Sequence, residues 1–319
     1  MEKNAGGRKY WAFVREFLPV VVLVVLVVAS SSINSNFLTA QNIFNLLRQN
    51  SGTIVVSLGM LMVILTGGID LSVGSVAAFA AVLFTTLLDD RQGGAWSLPL
   101  AFLFTLLCSM GFGLVVGYLV AYRKIAPFVV TLAAMTAARG AAFMISHAKT
   151  IPITNDWVNV FNKGSYHRVP YSVMLAILAF VLAGLVLRYT VFGRYIKAIG
   201  SNETAVRLSG VRTSLYVMSV YVISAAMSTL AGVMESRTGV GDARVCEGLE
   251  LKAIAACVIG GASLSGGRGT AVNTLMGVLI LGLISNIMAL MKVASYPQQV
   301  IQGVIIIVAV LLQGRSKAK

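Results

Sequence analysis

The chain reads as an all-α membrane protein, a polytopic bundle of about ten transmembrane helices with both termini cytoplasmic. Three observations predict this. Of its 319 residues, 57% are hydrophobic and only 11% charged, against roughly 25% charged in a soluble domain. The apolar residues gather in ten segments joined by mostly short polar connections. The 25 Lys and Arg residues divide unequally between alternate connections.

The segments lie near 17–33, 51–66, 72–88, 98–120, 127–146, 171–188, 214–235, 251–264, 271–291 and 297–313. The first follows Arg8, Lys9 and Arg15 and ends in Ala29-Ser30-Ser31, a pattern shared with cleaved signal peptides. The nine later segments favour an uncleaved first helix, with cleavage as the alternative. The second and eighth have only about 13–16 apolar residues before a glycine pair, short enough to be re-entrant rather than crossing. Small residues at helical spacing, Gly113 and Gly117 in the fourth and Ser224, Ser228 and Gly232 in the seventh, allow close helix crossings.

With the N-terminus inside, fifteen basic residues fall in the cytoplasm, nine outside, and Arg139 within a span. That bias sets the orientation. A failed eighth crossing would move the Arg315–Lys319 tail outside, against the rule. The chain is therefore read as one domain, 1–319, with a cytoplasmic N-terminal segment 1–16 and a second cytoplasmic segment 189–213. The longest external connection is 147–170.

Several function classes fall away. The net charge of +14 is explained by cytoplasmic loops, without the basic-aromatic pattern of a nucleic-acid binder. Cys108 and Cys257 sit in apolar runs and Cys246 alone in a polar loop, so neither a disulfide framework nor a metal site is implied. Gly260–Gly269 lacks the Gly-x4-Gly-Lys-Ser/Thr order of a phosphate loop, because Arg268 and Gly269 follow Gly267. Any ATP must bind another subunit, and this chain is read as holding no cofactor or metal. No clustered acid, base and nucleophile suggests an enzyme.

The most informative feature is an internal echo. Gly67-Gly68-Ile69-Asp70-Leu71-Ser72-Val73-Gly74 ends one short segment, and Gly260-Gly261-Ala262-Ser263-Leu264-Ser265-Gly266-Gly267 ends another; five of eight positions agree. Glycine-interrupted spans in matching places point to a transporter's working region. This makes Gly67, Gly68, Asp70, Ser72, Gly260, Gly261 and Ser263 candidates for the substrate pathway, with helix capping by Asp70 or Ser72 as the plainer role. Arg139, an intramembrane cation, and Asn286, a polar amide in the ninth segment, join them; structural pairing is the competing explanation for Arg139.

A second feature is the stretch 193–213. Asn202 reads as an N-cap, Glu203 as a first-turn acid, Arg207 as a last-turn base and Gly210 as a stop. A helix of about seven residues is unstable alone. It must pack on its own membrane domain or on a cytoplasmic partner, and Arg194, Lys197 and Arg212 also suit lipid headgroups.

At these residues a resemblance enters. The run Thr66–Ser75 resembles the signature of ribose-type permeases of ABC sugar importers. Gly193-Arg-Tyr-Ile-Lys-Ala-Ile-Gly200 with Asn202 and Arg207–Val211 resembles their cytoplasmic coupling segment, and 250–282 is similar as well. The resemblance runs from about Asn36 to the C-terminal tail. It implies a bacterial inner-membrane permease paired with a second copy or paralogue. Beneath would sit ABC ATPase subunits holding ATP, and above a periplasmic binding protein delivering a monosaccharide. Arg194, Asn202, Glu203, Ala205, Val206, Arg207, Leu208 and Gly210 would form the coupling contact, with Ala205, Val206 and Leu208 seated in the ATPase. The loops 147–170 and 236–250 would receive the binding protein. Related permeases for branched-chain amino acids and nucleosides differ at Ile69-Asp70-Leu71, which favours a sugar. The alternative is an ion-coupled secondary transporter, weakened because His147 and His167, the only histidines, fall in an outer loop.

Overall fold

In a computed structural model of the protein, residues 19–89, 96–153, 155, 158, 164–235 and 240–314 are described. Among them run eleven helices. They are α1 (Pro19–Ile33), α2 (Ala40–Leu65), α3 (Val73–Leu88), α4 (Leu98–Ala121), α5 (Pro127–Ser146), α6 (Tyr171–Tyr189), α7 (Val191–Leu208), α8 (Thr213–Glu235), α9 (Leu249–Ile259), α10 (Ala271–Leu290) and α11 (Ser295–Gly314). Four two-residue strands decorate one end. β1 (Ile151–Pro152) pairs antiparallel with β4 (Val240–Gly241), and β2 (Ser165–Tyr166) with β3 (Val169–Pro170). His167 and Arg168, both at positive φ, make the tight turn that such a hairpin requires.

A helix that is apolar all round belongs in the interior, and α2 and α3 obey. Ile54 to Leu65 are all buried, as are Val73 to Thr85. α8 packs across α2, α3 and α4. Its small-residue stripe allows this. A Cβ at Gly232 would strike the Ala77 carbonyl on α3, and one at Gly113 or Gly117 would crowd the α8 backbone at Val222 and Met218. The faces turned outward are apolar, with Leu103, Leu107 and Val115 on α4 and Ile177, Leu178 and Leu182 on α6 exposed. Such a surface suits lipid and not water.

Each of the ten expected segments coincides with a helix. Six of the described helices (α2, α4, α5, α6, α8 and α10) are long and apolar enough to cross a membrane. Two segments differ from expectation. The second is not short: α2 has 26 residues, because Thr39 accepts from the Asn42 amide and starts the helix eleven residues upstream of Ser51. The polar residues there, Gln41 to Asn50, hid the helix from an apolar pattern. The eighth is shorter than expected. α9 has 11 residues and rises about 16 Å, half of a ~30 Å hydrocarbon core.

The expected external loop 236–250 also differs over its described part. Residues 240–250 run alongside α3: a Cβ at Gly241 would meet Thr85, and one at Gly74 would meet Glu250 and the Cys246 carbonyl. Only Arg244 and Glu247 of this stretch are exposed. The N-terminal segment 1–16 and residues 236–239 lie outside the described residues.

Candidate functional site

Both glycine motifs are helix stops of one kind. After α2, the Gly67 amide donates to Ile64 O at 2.9 Å and the Gly68 amide to Val63 O at 3.2 Å. After α9, the Gly261 amide donates to Val258 O at 2.8 Å and the Ala262 amide to Cys257 O at 2.9 Å. Each is a Schellman closure, with its left-handed residue at Gly67 (φ 83°) and Gly261 (φ 82°). Conformation therefore matches Gly67 to Gly261, one place out of register from the sequence echo, which pairs Gly67 with Gly260. Gly260 is small for another reason: it lies against the Asn273 carbonyl at the start of α10.

The echoed halves then diverge. Residues 71–74 enter α3 directly, whereas Ser263 to Arg268 close a turn in which the Ser263 amide donates to Arg268 O at 2.9 Å. The Ser263 and Ser265 hydroxyls lie 3.0 Å apart. The two motifs also touch. The Gly267 amide donates to Leu65 O at 3.0 Å, and Gly200, within α7, sits so close that a Cβ would strike both groups.

Asp70 is 3% exposed. One carboxylate oxygen accepts from the Ser72 amide at 3.0 Å and the Ser72 hydroxyl at 2.6 Å. The other accepts from the Ser224 hydroxyl on α8 at 2.8 Å. The carboxylate thus orders the entrance to α3 and ties it to α8; Ser72, the N-cap residue of α3, makes no side-chain cap bond, so neither residue is an N-cap of the expected kind. Gly68 lies over the hydroxyl of the fully buried Tyr221.

Arg139 on α5 reaches the non-helical stretch before α9. Its Nη1 donates to the carbonyls of Ala243 and Val245, the latter at 2.9 Å. Irregular backbone packed inside a bundle needs such partners, and Arg139 supplies them. Asn286 lies at the far end of α10 from the glycine turns. It exchanges two amide hydrogen bonds with Asn42 of α2, at 2.9 and 3.0 Å.

Helix α7 has two halves. Thr190 caps the first by accepting from the Gly193 amide at 3.2 Å, and Ile196 and Ile199 bury against the bundle. At Asn202 the backbone leaves the helical region (φ −162°, ψ 92°), and its side chain accepts from the Ala205 amide at 3.0 Å. Asn202 is thus the N-cap expected from sequence, set within a longer helix. Gly210 (φ 83°) ends it. Glu203 accepts from Lys124 Nζ at 2.7 Å and from the Thr213 hydroxyl at 3.1 Å. The Lys124 hydrogen bond holds its carboxyl below the usual range, against a smaller opposing effect of burial. Arg194, Ala205 and Arg207 are exposed, Val206 is half-buried, and Leu208 is 82% exposed.

Residues 42–310 match the family model described as "Branched-chain amino acid transport system / permease component". The chain belongs to this permease family. It is 38% identical over 303 residues to the ribose import permease protein RbsC of Bacillus subtilis (strain 168), covering 94% of this chain and 93% of that protein. It is 34% identical over 322 residues to RbsC of Escherichia coli (strain K12), covering 99% of each. To the L-arabinose ABC transporter permease protein AraH of Azospirillum brasilense it is 35% identical over 302 residues, 94% of this chain and 88% of that one. No solved structure matches the chain.

Within the permease fold, the matched span takes in every candidate residue from Gly67 to Asn286. One set of polar residues escaped the sequence reading. Gln49, Asn50, Thr53, Lys252, Ser285 and Gln302 line a cavity of about 160 Å³ between α2, α9, α10 and α11. Gln41, Asn45, Gln49 and Thr53 recur at every fourth residue, a helical signal masked by the search for apolar runs.

Proposed function

We propose that this chain is the membrane-spanning subunit of an ATP-driven importer, moving a monosaccharide delivered by a periplasmic binding protein through alternating access in the bacterial inner membrane. The observation that carries the reading is the seat of Gly200. α7 touches the stop after α2 and the turn after α9 at one point, so a force on the cytoplasmic helix reaches both central spans. The names of the relatives favour ribose or arabinose as the sugar class.

In this reading ten segments cross, the eighth as the half-length α9 together with the non-helical stretch 240–248 before it, both termini are cytoplasmic, and the permease works as a pair with ATP held on separate ATPase subunits. The chain itself carries no cofactor. The exposed Ala205, Arg207 and Leu208 meet the ATPase, while Ile196 and Ile199 anchor α7 to the bundle. The exposed loop at 147–150 faces the binding protein. No observation favours ion coupling: His147 and His167 are both exposed and form no buried relay.

Co-purification tests this. The chain expressed with its ATPase should yield a complex whose ATP hydrolysis rises with binding protein and sugar. Arg207→Glu and Ala205→Trp should each uncouple hydrolysis from uptake while leaving membrane insertion intact. A chain that transports in liposomes on an ion gradient, with no ATPase, would overturn the reading.

A further inference from the structure

We propose that the sugar's route through the outer half of the bundle is the polar cleft between α2, α9, α10 and α11, and not the glycine turns. The inference rests on the sugar-permease reading and supplies its missing binding surface. The glycine turns are already committed: their amides close Schellman stops, and Asp70 is occupied by Ser72 and Ser224.

The cleft has what those turns lack. Its space of about 160 Å³ is well above the ~15 Å³ that one water needs. Gln49, Thr53 and Lys252 make no side-chain hydrogen bond to the described residues. Ser285 accepts from the Gln302 carboxamide at 2.8 Å and donates to Leu281 O at 3.0 Å, and the Asn50 amide donates to Leu46 O at 2.8 Å, so Ser285 keeps one lone pair and the Asn50 and Gln302 carboxamides keep their oxygens and one N–H each. Amides and hydroxyls that both donate and accept match the hydroxyls of a neutral sugar. Val278 and Leu281, both buried, also line the cleft and suit a sugar's C–H face.

Three further features fit passage. The stripe Gln41, Asn45, Gln49 and Thr53 covers twelve residues of one α2 face, about 18 Å, and amides facing lipid would lose their hydrogen bonds. Below Thr53 every α2 residue from Ile54 to Leu65 is buried, so the cleft is blind toward the glycine turns. Lys252, exposed and the single charged residue of the lining, repels cations and so limits ion leakage through a water-filled path. Gly282 makes room for Asn50: a Cβ there would meet the Asn50 carboxamide.

The test uses the assembled importer with ATPase and binding protein. Thr53→Cys and Ser285→Cys are treated with the water-soluble anion 2-sulfonatoethyl methanethiosulfonate, which Lys252 does not repel, and modification is read peptide by peptide, apart from the native cysteines. Both should react at least tenfold faster than Leu182→Cys on the outward face of α6. In parallel, Gln49→Leu and Gln302→Leu should lower uptake of labelled D-ribose and L-arabinose at least tenfold without releasing the ATPase. If Lys149→Cys in the exposed loop reacts but positions 53 and 285 react no faster than 182, the cleft is not the route. The same follows if both leucine variants transport normally. A wild-type complex that moves neither sugar, nor any other monosaccharide, would instead overturn the function on which the inference rests.

Discussion

The amide of Gly267 donates to the carbonyl of Leu65 at 3.0 Å, closing the end of α2 onto the turn that follows α9, with Gly200 of α7 packed over the bond. Three segments that are far apart in sequence meet there through backbone alone. No side chain could be inserted without separating them.

Gly200→Val should therefore do more damage than its exposure suggests. Overpacking against backbone costs about 1–3 kcal/mol, because neither the Leu65 carbonyl nor the Gly267 amide can rotate away. Uptake by the assembled importer should fall at least tenfold, with a lower unfolding temperature in detergent. Gly140→Val, on α5 where nothing lies within 4 Å of a Cβ, should leave uptake near wild type and serves as the control.

Gly68 and Tyr221 offer a paired test. A Cβ at Gly68 would strike the Tyr221 hydroxyl, which is buried and has no hydrogen-bond partner among the described residues. Removing an unpartnered hydroxyl is close to neutral or stabilising. Gly68→Ala alone should lower stability by about 1–3 kcal/mol, and Tyr221→Phe alone should change it little. Together they should recover most of the loss, as a coupling measured by a double-mutant cycle. Additive effects would mean that the two residues do not meet.

Arg139 is expected to be structural. Arg139→Met leaves the Ala243 and Val245 carbonyls without their donor, at roughly 1–3 kcal/mol each, so unfolding in detergent should shift strongly downward. Arg139→Lys keeps the charge but not the planar fork and should recover only part. If substrate contact were its role, Arg139→Met would change apparent sugar affinity while leaving the unfolding temperature unmoved.

What sequence could reveal follows from which groups do the binding. Long apolar runs declare their helices, so α4, α6 and α10 lie close to their expected ends. The caps at Asn202 and Gly210 were legible because a cap is a local event. Arg139 was flagged as an expensive charge, but its partners are main-chain carbonyls about a hundred residues away, and carbonyls leave no mark in a sequence. The upstream half of α2 was missed because Gln41 to Asn50 break the apolar pattern while keeping the helical one. The echo was visible as identity, yet its one-residue shift was not, since either glycine of each pair could take the positive φ.

Glu203 should respond to pH. The Lys124 ammonium, 2.7 Å away, depresses its carboxyl below the ordinary value near 4.5. A depressed folded-state pKa contributes stability above the unfolded value, which is lost as pH falls through the folded one. The link from Lys124 between α4 and α5 to the second half of α7 should thus be constant from pH 8 to about 5 and weaken below ~4.5. Both side chains are partly exposed, so the effect is local and salt-sensitive. The hydrogen-exchange protection factors of residues 203–213, with the intrinsic pH dependence of exchange divided out, should fall below that pH in the wild type. In Glu203→Gln they should already be lower at neutral pH and nearly independent of acid. Protection in this segment that ignores both pH and the substitution would show that the Lys124 contact does not hold α7 in place, leaving the Asn202 cap and Thr213 to do so.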